Sequence, residues 1–159
     1  MSRFAENTTV SSESSRAEIE RILARYGADQ FMYGWDAEQA IIRFRANDRY
    51  IEFRLDLPER NQFLLTPARR QRRSAAEVEK AYEQAVRQRW RALALVVKAK
   101  LEAVAAGISE FEEEFMAHIL LPSGETVGAW IRPQIEESYQ TGKMPTMLAL
   151  PAAGQTSGS

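Results

Sequence analysis

Apolar residues recur at helical spacing in several stretches of this chain and alternate with polar ones in the region between the first two. Ile19, Ile22, Leu23 and Tyr26 fall on one face at 3.6-residue periodicity, behind a Ser15-x-x-Glu18 capping box and ahead of Gly27, which can take the left-handed position that ends a helix. These signals predict a first helix over about Arg16–Tyr26. The period then changes to two. Phe31–Trp35 reads as one strand, and Ala40–Ala46 and Arg49–Leu57 as two more, joined by Asn47-Asp48, a dipeptide suited to the positive φ angles of a two-residue hairpin. That turn sets the register. It places Phe44 opposite Ile51, Ile42 opposite Phe53 and Ala40 opposite Leu55 on one face, with Arg43 beside Glu52, Arg45 beside Tyr50 and Ile41 beside Arg54 on the other. The first face needs a helix over it; the second is expected to meet solvent or a partner, with Arg43–Glu52 an exposed cross-strand pair worth about 1 kcal/mol at most.

Pro58 closes the strands, and Pro67 punctuates a linker that ends in ARRQRR, Ala68 to Arg73. A second capping box, Ser74-x-x-Glu77, opens a stretch without a helix breaker up to Gly107, about 32 residues or about 48 Å. Its first half is amphipathic through Val78, Tyr82, Ala85, Val86 and Trp90. Its second half is apolar round most of its circumference, which predicts either a buried central helix or an oligomer contact. Ser109-x-x-Glu112 reads as a third capping box, for a short helix through Phe111 and Phe115. Leu121 to Gly124 reads as a turn, and Thr126 as the cap of a last helix that carries Trp130, Ile131, Ile135 and Tyr139, contains Pro133 and ends at Gly142 and Pro145. The expected fold class is α+β: an antiparallel three-stranded β-meander preceded by one helix and followed by a long central helix plus two shorter C-terminal helices. Residues 1–14 are expected to be a disordered N-terminus, 15–145 a single domain, and 146–159 a disordered tail.

With 159 residues and 45% hydrophobic residues, the chain can bury one core without a staple. It has no cysteine, which excludes disulfides, thiolate zinc sites, iron–sulfur clusters and cysteine catalysis. The opening MSRFAENTTVSSESS lacks the apolar core of a secretory signal, and the apolar stretch Trp90–Gly107 holds Arg91, Lys98, Lys100 and Glu102. A cytoplasmic location with no membrane association is therefore expected. The net charge of −1 conceals a strong asymmetry. Residues 69–100 carry 10 basic against 3 acidic side chains, whereas 101–142 carry Arg132 alone against 8 glutamates.

The basic block is the strongest candidate for function. Arg69, Arg70, Arg72 and Arg73 approach the long helix, an electrostatically poor place for cations, and Arg87 and Arg91 follow on it. Arginine forks match phosphate geometry, so these six are the expected nucleic-acid-binding residues, with Arg43, Arg45 and Arg54 on the sheet as a second surface. The competing reading pairs the basic block with the acidic segment, within one chain or between copies. Glu114 and His118, four apart, have metal-ligand chemistry, but a single histidine without cysteine makes a solvated acidic face the better reading. No glycine-rich phosphate loop or nucleophile elbow exists, and no cofactor or metal is expected.

Three resemblances bear on this. The order helix, three strands, helix, with Glu52-x-Arg54 on the third strand, resembles restriction-type nucleases of the PD-(D/E)xK superfamily, with arginine where lysine is usual and no Pro-Asp before it. That would make Glu52 a metal ligand beside Asp36 or Asp48 and Glu18 or Glu20. The segment RQRWRALALVVKAKLEAVAAGISEFEEEFMAHILLPSGETVGAWIRPQIEESYQTGKMP, Arg87 to Pro145, and the earlier YGADQFMYGWD with the strand pair after it, are similar to a family of small proteins of phages, prophages and related mobile elements. This implies a setting, phage DNA metabolism or the countering of a host defence, and assigns no residue a role. More loosely, a β-meander with a long helix and a basic groove resembles single-strand annealing proteins, which implies single-stranded DNA as ligand. The expected function is a non-enzymatic nucleic-acid-binding accessory protein. A protein-binding inhibitor or adaptor, with a host or phage protein as partner, is the alternative. A divalent-metal nuclease comes third, and a homo-oligomer is compatible with each.

Overall fold

The computed structural model describes the backbone of residues 3–144 and the side chains from Glu13 onward. The expected tail, 146–159, and Pro145 lie outside the described residues. The fold is α+β. Helix α1 (Arg3–Arg25) leads into strands β1 (Gln30–Trp35), β2 (Gln39–Ala46) and β3 (Arg49–Asp56), which form one antiparallel sheet in the order β1-β2-β3. A 3-10 turn at Arg60–Phe63 precedes the long helix α2 (Ala75–Ala105). Then follow α3 (Phe111–Phe115), a second 3-10 turn at Met116–His118, and α4 (Val127–Thr141).

Local chemistry accounts for most of these boundaries. Asn47 and Asp48 have φ angles of 49° and 57°, the left-handed pair that a tight hairpin turn requires. The β2–β3 register follows from that turn, with Ala40↔Leu55, Ile42↔Phe53, Phe44↔Ile51 and Arg43↔Glu52 as expected. At α2 the Ser74 hydroxyl accepts from the Glu77 amide while the Glu77 carboxylate accepts from the Ser74 amide, a complete capping box. The far end closes on Gly107 in a Schellman motif, with Ile108 N–H bonded to Ala103 O and Gly107 N–H to Val104 O.

That motif takes Ser109 as well, whose amide also turns back to Ala103 O. Ser109 therefore belongs to the exit of α2, and Glu110 is the uncapped N-cap of α3, so the third expected capping box does not form. The first box fails differently. Nothing between Arg3 and Ser15 is proline or glycine, and α1 runs through Ser15 and Glu18 instead of starting there, so the stretch 3–14, expected to be disordered, is helical. Pro133 lies inside α4 and does not end it; Thr126 caps the helix and Gly142, at φ 68°, closes it.

Ile19 and Leu23 of α1, Ala40, Ile42, Phe44, Ile51 and Phe53 of the sheet, and Tyr82, Val86, Trp90, Leu93, Val97 and Leu101 of α2 form one core. Phe115 plugs it, meeting Phe44 and Phe53 edge-on at 5.9 and 6.3 Å. Past Phe115 the chain runs beside the start of β3: Ile119 bridges Ile51, and Leu120 N–H bonds Tyr50 O at 2.8 Å, which covers that part of the sheet edge. The second half of α2 is not buried all round. One side holds Leu93, Val97 and Leu101, while Leu95 is 62% exposed and Val96 half-exposed on the other. Among the described residues no helix is long and apolar enough to cross a membrane.

Candidate nucleic-acid interface

The arginine-rich linker is a built structure. Leu65 bridges Arg72, Thr66 N–H bonds Gln71 O, and Arg73 N–H bonds Leu64 O, so residues 64–73 form a small β-hairpin. Its tip is closed by Thr66, whose carbonyl accepts from Arg70 N–H and whose hydroxyl accepts from Gln71 N–H. Arg73 is a fastener: its Nη1 donates to the carbonyls of Phe63 and Leu65 at 3.1 and 3.3 Å. Arg60 holds the segment to α2 through two bonds to Glu79, at 2.7 and 2.8 Å, and lies 3.9 Å above the Tyr82 ring. Those hydrogen bonds hold the Glu79 carboxyl below its ordinary pKa. On this frame Arg69, Arg70 and Arg72 are exposed, and none has an ion pair or side-chain hydrogen bond among the described residues. Arg70 has a φ of 49°, a region that costs a side-chain-bearing residue about 1–2 kcal/mol. A cleft of about 640 Å³ opens beside it, lined by Asn61, Gln62, Leu64, Leu65, Thr66, Pro67, Arg70 and Arg72.

On α2, Lys80, Arg87, Arg91 and Lys98 are all exposed, and at about 100° per residue their spacing keeps them within about 40° of one another. Arg87 and Arg91 are unpaired among the described residues. Arg89 lies on another side and donates to the Asp56 carbonyl at 2.6 Å. Internal pairing of the basic block with the acidic segment is confined to two lysines: Lys100 with Glu114 at 3.2 Å and Lys98 with Glu102 at 4.0 Å. No arginine between 69 and 91 pairs with a carboxylate among the described residues, whereas Arg43, Arg45, Arg49, Arg54 and Arg60 all do.

The second surface is thus committed elsewhere. Arg45 bonds Asp29 and Asp48 at 2.7 and 2.8 Å. Arg43 and Arg54 both grip Glu52, through Nε to Oε2 at 2.5 Å and Nε to Oε1 at 2.7 Å. Glu52 is 1% exposed, so the expectation of an exposed cross-strand pair is corrected: the carboxylate lies beneath its two arginines, which themselves reach solvent. Burial opposes its ionisation, but hydrogen bonds from Arg54 and Arg43 outweigh this and hold its pKa below the ordinary value. Two guanidinium groups on one carboxylate leave that triad a single net positive charge.

The groups of the nuclease comparison do not converge. Both Glu52 oxygens are taken by arginine, Asp36 Oδ1 accepts the amides of Glu38 and Gln39 in its own turn, and Asp48 sits in the hairpin turn. Glu114 is held by Lys100 and Ser109, while His118 stacks on Phe53 at 4.0 Å and donates to the Glu52 carbonyl. Burial, helped by Lys100, lowers the His118 pKa and keeps its ring neutral near neutral pH. Among the described residues no three His, Cys, Asp or Glu side chains are grouped as a metal ion would need. The arginine hairpin and the role of Arg60 are not visible from periodicity; Pro67 between Leu64-Leu65-Thr66 and Gln71-Arg72-Arg73 is the one signal of that turn. No family model, curated protein or solved structure matches this chain.

Proposed function

We propose that this chain is a non-enzymatic nucleic-acid-binding protein that grips phosphates with Arg69, Arg70 and Arg72 of the hairpin and Arg87 and Arg91 of α2. The carrying observation is that these arginines have no carboxylate partner among the described residues, in a chain with 22 acidic and 21 basic residues whose Arg43, Arg45, Arg49, Arg54 and Arg60 are all paired with carboxylates. Exposed, unpaired guanidinium groups on a fixed frame are suited to an external polyanion. Arg73, by contrast, holds the hairpin together and is not counted among the ligands. We take as its setting the one that the resemblance read from Arg87–Pro145 implies, phage or mobile-element DNA metabolism.

Five phosphate contacts imply that affinity falls roughly 500-fold on duplex and roughly 130-fold on single strands between about 50 and about 200 mM salt. Fluorescence anisotropy with labelled oligonucleotides at the two salt concentrations tests this. Replacing Arg69, Arg70 and Arg72 together by alanine should flatten the salt slope by ~2–3. Binding indifferent to salt and to that variant would sink the proposal.

The second reading, a protein-binding inhibitor or adaptor, is favoured by one observation. No residue of α4 is buried, and its Trp130, Ile135 and Tyr139 are exposed beside Glu136 and Glu137. It predicts no nucleic-acid retention at low salt, and loss of a protein partner on Trp130→Ala with Tyr139→Ala.

A further inference from the structure

We infer that the cleft beside the arginine hairpin seats one unpaired nucleotide, so that the ligand is a single strand and not a duplex. This rests on the nucleic-acid reading above and adds the form of the ligand. At about 640 Å³ the cleft is of the size that takes small organic ligands. Its walls divide by chemistry as a nucleotide does. Arg70 and Arg72 offer two unpaired guanidinium groups for phosphate, Leu64 and Leu65 offer half-exposed apolar surface for the face of a base, and Gln62 brings an amide for a base edge. A base still stacked in a duplex has neither face free, which is why single strands bind where apolar surface and cations meet.

The site is also fixed in advance. Arg73 ties the hairpin to the Phe63 and Leu65 carbonyls, and Thr66 closes the tip with two bonds. Among the described residues Arg70 is the one left-handed position occupied by neither glycine, asparagine nor aspartate. A glycine would rest there without strain, so an arginine held there points to a use for its side chain.

Three measurements decide the matter. In anisotropy titrations at about 50 mM salt, single-stranded DNA or RNA should bind about tenfold tighter or more than the same sequence as a duplex; the DNA and RNA arms tell the two sources apart. In NMR titrations of the intact protein, a nucleoside 5′-monophosphate should shift the Leu64 and Leu65 methyls together with the Arg70 and Arg72 amides, while inorganic phosphate shifts the amides alone. Arg70→Gly should weaken single-strand binding about fivefold or more with no fall in melting temperature, so misfolding cannot explain the loss. Equal or tighter duplex binding, unmoved leucine methyls, or an Arg70→Gly variant that binds like the parent would overturn the inference and leave the nucleic-acid reading standing. Absence of binding to every oligonucleotide would remove both.

Discussion

Replacing Glu52 by glutamine changes little volume but removes one negative charge from beneath two guanidinium groups. The parent carboxylate is buried and accepts from Arg43 and Arg54, one on each oxygen. Glutamine keeps one acceptor oxygen and turns the other position into a donor that faces an arginine. Breaking a fully buried pair costs about 3–5 kcal/mol, and one charged hydrogen bond about 1.5–3 kcal/mol. Here Arg43 and Arg54 are 39% and 54% exposed and can recover hydration, which discounts the upper figure. The expected loss is ~2–3 kcal/mol, or roughly 5–10 °C in melting temperature for a chain of this size. Urea titration followed by the fluorescence of buried Trp90 measures it, with an unchanged slope m showing that stability alone has moved. Because the folded carboxyl titrates below its ordinary 4.5, its contribution is complete above that value and is lost as pH falls through the lower folded pKa. The gap between parent and variant should therefore narrow on acidification below 4.5. A loss under ~0.5 kcal/mol, or a gap that does not narrow in acid, would refute the buried-triad account.

Leu101→Ala, at a position 4% exposed, should cost ~2–4 kcal/mol, and Leu95→Ala less than ~0.5 kcal/mol; similar losses at both in chemical denaturation would mean that the outer side of α2 is covered in solution. Arg70→Gly relieves left-handed strain but loosens the unfolded chain, so stability should hold or rise by ~0–1 kcal/mol, and a clear fall would show that the Arg70 side chain supports the fold. His118 titrates below its ordinary 6.5 in the folded protein, so the unfolded chain takes the proton first and stability drops as pH falls below that value. His118→Phe should remove that part of the decline, which thermal melts on either side of pH 6.5 would show.

The parts of the fold legible in the sequence are those decided within a few residues. Asn47-Asp48 dictates a turn, the turn dictates the register, and the register placed every β2–β3 pair from Ala40↔Leu55 to Arg43↔Glu52. Ser74 with Glu77, and Gly107, bound α2 for the same reason. Illegible parts depend on distant chain. The register sets Arg43 opposite Glu52 and Arg54 two residues on, but nothing in it announces that the carboxylate is buried beneath them, and the pattern of α2 does not say which apolar side meets the core, so Leu95 and Leu101 look alike. Ser109 carries a valid capping motif, yet its amide is claimed by Ala103 in the helix before. Of the candidate site, the composition of the arginine block was readable; the hairpin that separates Arg73 from Arg69, Arg70 and Arg72 in role was not.

The way Phe115 and Leu120 join the sheet bears on how this chain can be dissected. A fragment that stopped at Gly107 would keep the whole basic block, yet it would uncover the Phe44 and Phe53 rings and free the β3 edge at Tyr50 and Ile51. Such a fragment should aggregate and would be a poor surrogate for the parent. The acidic third is therefore bound to the sheet chiefly by aromatic packing and main-chain bonding. The ion pairs that join it to the rest of the chain engage Lys98, Lys100 and Arg49 and none of Arg69, Arg70 and Arg72 of the hairpin, which leaves those arginines free to answer to their own counter-charge.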